Sequence, residues 1–347
     1  MSAGTPPPSR NLFWIDALRM AAAVAVVLLH VSAEPVVLVK DRSSLVWWTG
    51  NLLDSAMRWC VPIFVMLSGA LLLDRRKESS RTFFTRRVRR LALPILAWTL
   101  AYFAFQAARR GWPGWGEIGS KLLEGRPEYH MWYVYMTLGL YLWTPLLRRF
   151  VARVDRRTLW ATTGAALLVA ALHDALYSFR GVPMFRSVFT LYLPYLGYYL
   201  AGHVLLHHRP RVPLPLLLAI VAACVGVVAA GTHFLMERWG ILPAGLYLYE
   251  YLSPPVVVMS LAVFLIGMRI PAPAAGSAGD RIVRDMSAAT LGIYLIHPML
   301  IVLLRRQGIS AVELGAAGAP VVALVVVVAA YLLVSLLRRT PVLRQAV

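Results

Sequence analysis

The stretch Leu12–Val31, LFWIDALRMAAAVAVVLLHV, is apolar enough to cross a bilayer, yet it carries Asp16, Arg19 and His30. A bilayer core takes a helix of about 20 apolar residues. Each of the three polar groups costs at least about 2–3 kcal/mol in hydrocarbon, so such residues face a polar cavity and mark a function by default. A helix turns about 100° and rises about 1.5 Å per residue, which returns Arg19 and His30 to within about 20° of one face, roughly 16 Å apart along the axis. Asp16 precedes Arg19 by three residues and Glu34 follows His30 by four, the spacings at which helical side chains meet. One stripe therefore carries an acid and a base near one mouth and a histidine and an acid toward the other. The plainer alternative is an Asp16–Arg19 pair that neutralises itself, with a histidine bonded to a neighbouring helix. Arg10 ahead of the run and Val31-Ser32-Ala33 after it imitate a cleaved leader, but leaders rarely hold an Asp and an Arg inside the apolar stretch.

The rest of the chain extends this reading. Its 347 residues are 59% apolar, with a mean hydropathy of +0.65, which excludes an ordinary soluble domain. The expected fold is all-α: a polytopic integral membrane protein of about ten transmembrane helices, near 12–33, 47–73, 91–108, 131–147, 158–177, 187–206, 214–233, 248–268, 286–304 and 318–337. It reads as one transmembrane domain over 1–347, with no extramembrane domain. The formal charge of +19 is spread through short loops, as orientation signals are, and nucleic-acid binding is not expected. A cytoplasmic N-terminus places roughly 22 Arg and Lys inside against roughly 11 outside, so both termini, 1–11 and 338–347, are expected to be cytoplasmic. Trp47-Trp48 and Trp112/Trp115 then fall at the outer interface. Near-exclusive use of Arg over Lys, with much Ala, Val, Leu and Pro, suggests a GC-rich bacterial gene and hence a plasma-membrane protein. Cys60 and Cys224 lie in apolar runs and suggest no disulfide. No two histidines share a helix face with an acid as in H-E-x-x-H, so no metal centre is expected.

The ordered motifs resemble acyltransferase family 3, membrane proteins that O-acylate, mostly O-acetylate, surface glycans and some small molecules. Arg19 and His30 make an R-x10-H in the first span. VPIFVMLSGALLL (61–73) is similar to the family's second-span ending, with Ser68-Gly69. FFTRRVRRLALP (83–94) resembles its basic inner loop, an R-x-x-R formed by Arg86 and Arg89 or by Arg87 and Arg90. HMWYVYMTLGLYLWTPLL (130–147), PYLGYYLAGHVL (194–205) and SAATLGIYLIHPML (287–300) resemble three further elements, the last with Tyr294, His297 and Pro298. R-x10-H alone is a weak signal; its company, in order along nearly the whole chain, is a strong one. The likeness extends to the enterobacterial common antigen O-acetyltransferase type.

The resemblance implies acetyl-CoA as a cytoplasmic donor, a carbohydrate or natural-product hydroxyl as acceptor on the outer side, and no metal. Phosphates of such a donor require Arg or Lys, which makes Arg86, Arg87, Arg89 and Arg90, with Ser68, the expected donor contacts. The competing role for these arginines is topology and anionic lipid. Arg19 is expected either to position the donor or to be pinned by Asp16. An alcohol needs its proton removed as it attacks, work suited to an imidazole. His30 is the expected base, with Glu34 orienting it if that side chain projects inward. A prior acetylation of His30 is the open variant. His130, Trp132, Tyr294 and His297 are expected to face the acceptor or line the cavity. A secondary transporter or glycan flippase is the rival, since it too would need the Asp16/Arg19/His30 stripe, and Pro254-Pro255 could mark a broken helix.

Overall fold

The computed structural model describes residues 12–74, 78–181, 187–341 and 343–347, with the side chains of all but 88 and 89. Among these residues the long elements are all helices: α1 (Phe13–Leu38), α2 (Leu45–Met57), α3 (Cys60–Leu72), α4 (Ser80–Arg110), α5 (Trp115–Leu123) and α6 (Trp132–Arg153), then α7 (Arg156–Arg180), α8 (Leu196–His208), α9 (Leu214–Trp239), α10 (Pro254–Gly267), α11 (Ala278–Arg306) and α12 (Gly318–Leu337). Short polar residues start four of them, where an orphan backbone N–H needs an acceptor. Ser44, Ser79, Asp155 and Ser277 each accept the amide three residues on. Bonds from the Thr158 side chain and amide also hold the Asp155 carboxyl below its usual range. α7 stops on Gly181, whose φ of 64° suits a residue without a Cβ.

Eight stretches of the described residues are long and apolar enough to cross a membrane, in place of the ten read from sequence. The two expected spans outside that set correspond to α6 and α8. α8 has 13 residues, or about 20 Å at 1.5 Å each, short of a core about 30 Å thick. Its residues Gly197 to Leu206 are all buried. A helix enclosed by other helices need not offer lipid an apolar face, so hydropathy describes it poorly. The expected span 187–206 is correspondingly shorter: 187–192 is turn, and Leu193–Tyr195 a single 3-10 turn. The basic stretch 83–94 lies within α4 and is not a loop, and the stretch 109–130, expected as an outer loop, contains α5. Trp112 and Trp115 are exposed as expected, whereas Trp47 is fully buried and donates to the Val36 carbonyl.

The expected span 47–73 is two helices, broken at Arg58-Trp59, and the span 248–268 begins as an α-helix only at Pro254, after a 3-10 turn at Tyr247–Tyr249. The two irregularities answer each other. Freed backbone groups at membrane depth need partners inside the protein. Arg58 donates to the Tyr249 carbonyl at 2.8 Å, lies 4.1 Å over the Tyr249 ring and pairs with the buried Asp54. The Tyr249 hydroxyl donates to Asn51 at 2.6 Å. Pro254 and Pro255 occupy the first turn of α10, where a missing N–H costs nothing, so they begin a helix and do not split one.

α1 packs against α2, α3, α11 and α12, and α3 crosses α8 most closely. That crossing needs glycine. A Cβ on Gly69 would overlap the Tyr199 carbonyl, and one on Gly202 the Met66 carbonyl. Small residues let helix backbones touch in membranes. The contact seats α3, and with it Ser68, beside the first helix.

Candidate active site

Pro298 sits inside α11. A proline has no N–H, so the carbonyl four residues back, that of Tyr294, loses its helical partner. His297 supplies a replacement: its Nδ1 lies 2.7 Å from the Tyr294 oxygen and 3.2 Å from that of Ile293. Carbonyl oxygens only accept, so Nδ1 carries the proton and Nε2 of the neutral ring is an acceptor. His30 Nδ1 stands 2.7 Å from His297 Nε2. It is therefore the donor of that bond, and the lone pair of His30 is left on Nε2. The two rings are within 12° of parallel with centroids 5.0 Å apart; they meet edge to edge, as an N–H···N bond requires. A helix-internal proline thus sets the tautomer of a histidine on another helix.

An aromatic cage surrounds this pair. His130 is buried between Tyr102, Tyr129, Tyr294 and His297, with ring centroids 5.1–5.6 Å away. Its carbonyl accepts the Tyr294 hydroxyl. His297 is buried, whereas His30 keeps accessible surface. The Tyr129 ring stands 5.1 Å from that of His30, edge-on, and Tyr129 is 50% exposed. Tyr129 therefore touches both His30 and the surface.

Toward the other end lies a cavity of about 220 Å³ lined by Arg19, Ser68, Arg87, Arg90, Tyr133, Thr137, Tyr141 and Tyr294, among others. It joins the first helix to the basic stretch of α4, which sequence alone could not bring together. Arg19 bonds Asp16 at 2.9 Å and the Ser287 hydroxyl at 3.1 Å, and that hydroxyl donates to Asp16 at 2.8 Å. Arg19 is held in this way and still lines the cavity. The Ser68 hydroxyl donates to the Phe64 carbonyl one turn back. Arg87 lies 5.5 Å from the Phe83 ring centroid and 5.7 Å from that of Tyr141. Tyr133 and Tyr294 form the inner wall; Tyr294 is 5.8 Å from the His297 ring, centroid to centroid. These facing hydroxyls and cations can bind a polyanion with a long polar arm, and the imidazole pair beyond them can accept a proton.

Other expected residues fall elsewhere. Glu34 lies within α1 and points to Arg305, at 3.3 Å, and to the amide of Ala311, while His297 fills the place beside His30. Arg86 pairs with Glu78 at 3.1 Å outside the cavity lining. The Arg89 side chain lies outside the described residues, as do Arg75, Arg76 and Lys77. Trp132 lines a separate cavity of about 740 Å³ and packs on Tyr195 and Tyr251. Sequence reasoning passed over Arg148. Its Nε donates to the Leu72 carbonyl at 2.7 Å and its guanidinium pairs with Glu78 at 3.0 Å, which ties the end of α3 to the start of α4. In the sequence it stands one residue past the expected span 131–147, at the head of the basic run 148–157, which hinted only at an orientation signal. Among the described residues, no three His, Cys, Asp or Glu side chains are placed to share a metal ion.

The family model described as an acyltransferase domain matches residues 12–339, nearly the whole chain. Neither the curated proteins nor the solved structures provided a match. With its eight membrane-crossing stretches and this match, the chain belongs to acyltransferase family 3 and is a multi-pass membrane acyltransferase.

Proposed function

We propose that the protein is a plasma-membrane O-acetyltransferase: it moves an acetyl group from cytoplasmic acetyl-CoA to a hydroxyl of a surface glycan, a lipid-linked sugar or a secreted small molecule. The observation that carries this reading is the level of the His30–His297 bond, between an arginine-lined cavity and the half-exposed Tyr129. With the N-terminus inside, Arg19, Arg87 and Arg90 face the cytoplasm and hold the phosphates and carbonyls of the donor. The thioester end then points past Tyr133 and Tyr294 toward His30. The acceptor hydroxyl reaches His30 from the Tyr129 side.

His30 Nε2, which carries the free lone pair, takes the hydroxyl proton as the alcohol oxygen attacks the thioester carbonyl. An O–C bond forms, the C–S bond breaks, and the proton leaves with the thiolate as CoA–SH. His297 keeps the His30 ring in the productive tautomer and stabilises the imidazolium that forms, the orienting task a third residue performs in hydrolytic triads. General-base assistance of this kind contributes about 10²–10⁴-fold. Asp16 and Ser287 fix Arg19 so that less entropy is lost when the donor binds.

The test is whether purified full-length protein treats acetyl-CoA as a substrate. Acetyl-CoA should raise the thermal midpoint in detergent, and free CoA thiol should appear when acceptor-containing membranes are added. Protein that binds no acetyl-CoA but moves a glycan across sealed vesicles would establish the transporter instead.

A further inference from the structure

The far mouth of the site has a charge that the transfer step does not explain. A cavity of about 270 Å³ opens beside Tyr129, and its lining includes Arg109, Arg110, Lys121 and Arg305 against a single carboxylate, Glu128. The helices place these cations beyond His30. α4 carries Arg87 and Arg90 at one end and Arg109 and Arg110 at the other, and Arg305 lies eight residues past His297 on α11. Part of the charge is already used: Arg305 pairs with Glu34, and Lys121 with Glu117 at 2.7 Å. Glu128 accepts from Gln106 and from the Tyr129 amide. Arg109 and Arg110 form no salt bridge among the described residues, and Arg109 lies 5.2 Å from the Phe105 ring centroid with its guanidinium over the face. In the proposed orientation these residues are on the outer side, where retained arginines oppose the positive-inside bias. A role in topology therefore does not account for them.

We infer that this mouth selects an anionic acceptor: a sugar bearing a phosphate or carboxylate that Arg109 and Arg110 hold while a neighbouring hydroxyl passes Tyr129 to reach His30. The inference rests on the O-acetyltransferase reading. Two arginines lining one cavity suit a phosphate or carboxylate, which guanidinium groups grip through charge-assisted bonds. The Tyr129 ring, shared between this cavity and His30, offers a surface on which a pyranose can stack. A neutral glycan would leave Glu128 as the single carboxylate in this lining against four cations.

The experiment uses the full-length protein and cells lacking the gene, which accumulate unmodified acceptor. Their membrane and glycan extracts are incubated with the purified protein and acetyl-labelled acetyl-CoA, and the labelled product is passed over an anion exchanger. Retained label is expected; label that flows through with neutral sugars overturns the inference. With the retained fraction as acceptor, Arg109→Gln/Arg110→Gln should raise the acceptor KM by about tenfold or more, the usual effect of losing a charge-assisted bond, and Arg109→Lys/Arg110→Lys should restore much of it. An unchanged KM in the Gln variant overturns it. The thermal shift given by acetyl-CoA reports that each variant is folded, and the wild-type anion-exchange result stands without them. The assay is repeated in phosphatidylcholine vesicles with and without phosphatidylglycerol. If the Gln substitutions matter only when phosphatidylglycerol is present, the arginines serve lipid headgroups and the inference fails. If no acetyl label leaves acetyl-CoA in any extract, the acetyltransferase reading has failed, and the inference falls with it.

Discussion

Replacing His297 with Leu removes the acceptor of the His30 Nδ1–H bond, now 2.7 Å long. The imidazole then has no reason to keep its proton on Nδ1, and the imidazolium formed during transfer loses its partner. A hydrogen bond to a group that becomes charged contributes about 1.5–3 kcal/mol, so kcat should fall by roughly 10–150-fold. The KM for acetyl-CoA should change by less than about twofold, as for a group acting in the transition state and not in donor binding. His297 is outside the lining of the arginine-bearing cavity, which is the structural reason. His297→Gln keeps a carbonyl oxygen that can accept from Nδ1 and should recover part of the rate. The assay is CoA-thiol release by the reconstituted protein with saturating acceptor, at several donor concentrations. A Leu variant within about threefold of wild type in kcat, or a loss appearing wholly in KM, would refute the role assigned to this bond.

Arg87→Gln/Arg90→Gln should raise the KM for acetyl-CoA by about tenfold or more and weaken its thermal stabilisation, because both side chains line the cavity proposed to hold the donor; donor titrations measure both. Gly202→Ala should lower the thermal midpoint by several degrees or abolish folded yield, since its Cβ meets the Met66 carbonyl, a backbone atom that cannot swing aside. Arg58→Met leaves Asp54 buried without its partner and should destabilise by about 3–5 kcal/mol; Asp54→Asn in the same chain should restore part of that, read by thermal unfolding in detergent.

Local information in the sequence placed the first helix well. Asp16, Arg19, His30 and Glu34 all lie on α1, and the Asp16–Arg19 pair forms at the spacing that predicts it. The basic stretch near 83–94 was legible as a cluster of cations, though not as the first turns of a helix. What sequence could not supply was long-range geometry. His297 is 267 positions from His30, and its tautomer depends on a carbonyl freed by Pro298. The local pattern Y-L-I-H-P holds that chemistry, but nothing in it names the partner. Glu34 was read as an orienting acid because spacing put it near His30; Arg305 and the Ala311 amide compete for it from across the fold. The break at Arg58 was visible as Asp54 and Arg58 inside an apolar run, without the Tyr249 carbonyl that explains it. α8 was over-extended because periodicity and hydropathy describe lipid-facing helices better than enclosed ones.

The claim on which the account depends is that His30 removes the acceptor proton. The direct measurement is acetyl transfer, per molecule of folded and membrane-inserted protein, by His30→Gln beside wild type at saturating acetyl-CoA. A fall of about 10²-fold or more, with the acetyl-CoA thermal shift intact, is predicted. Near-normal transfer by that variant would contradict the account.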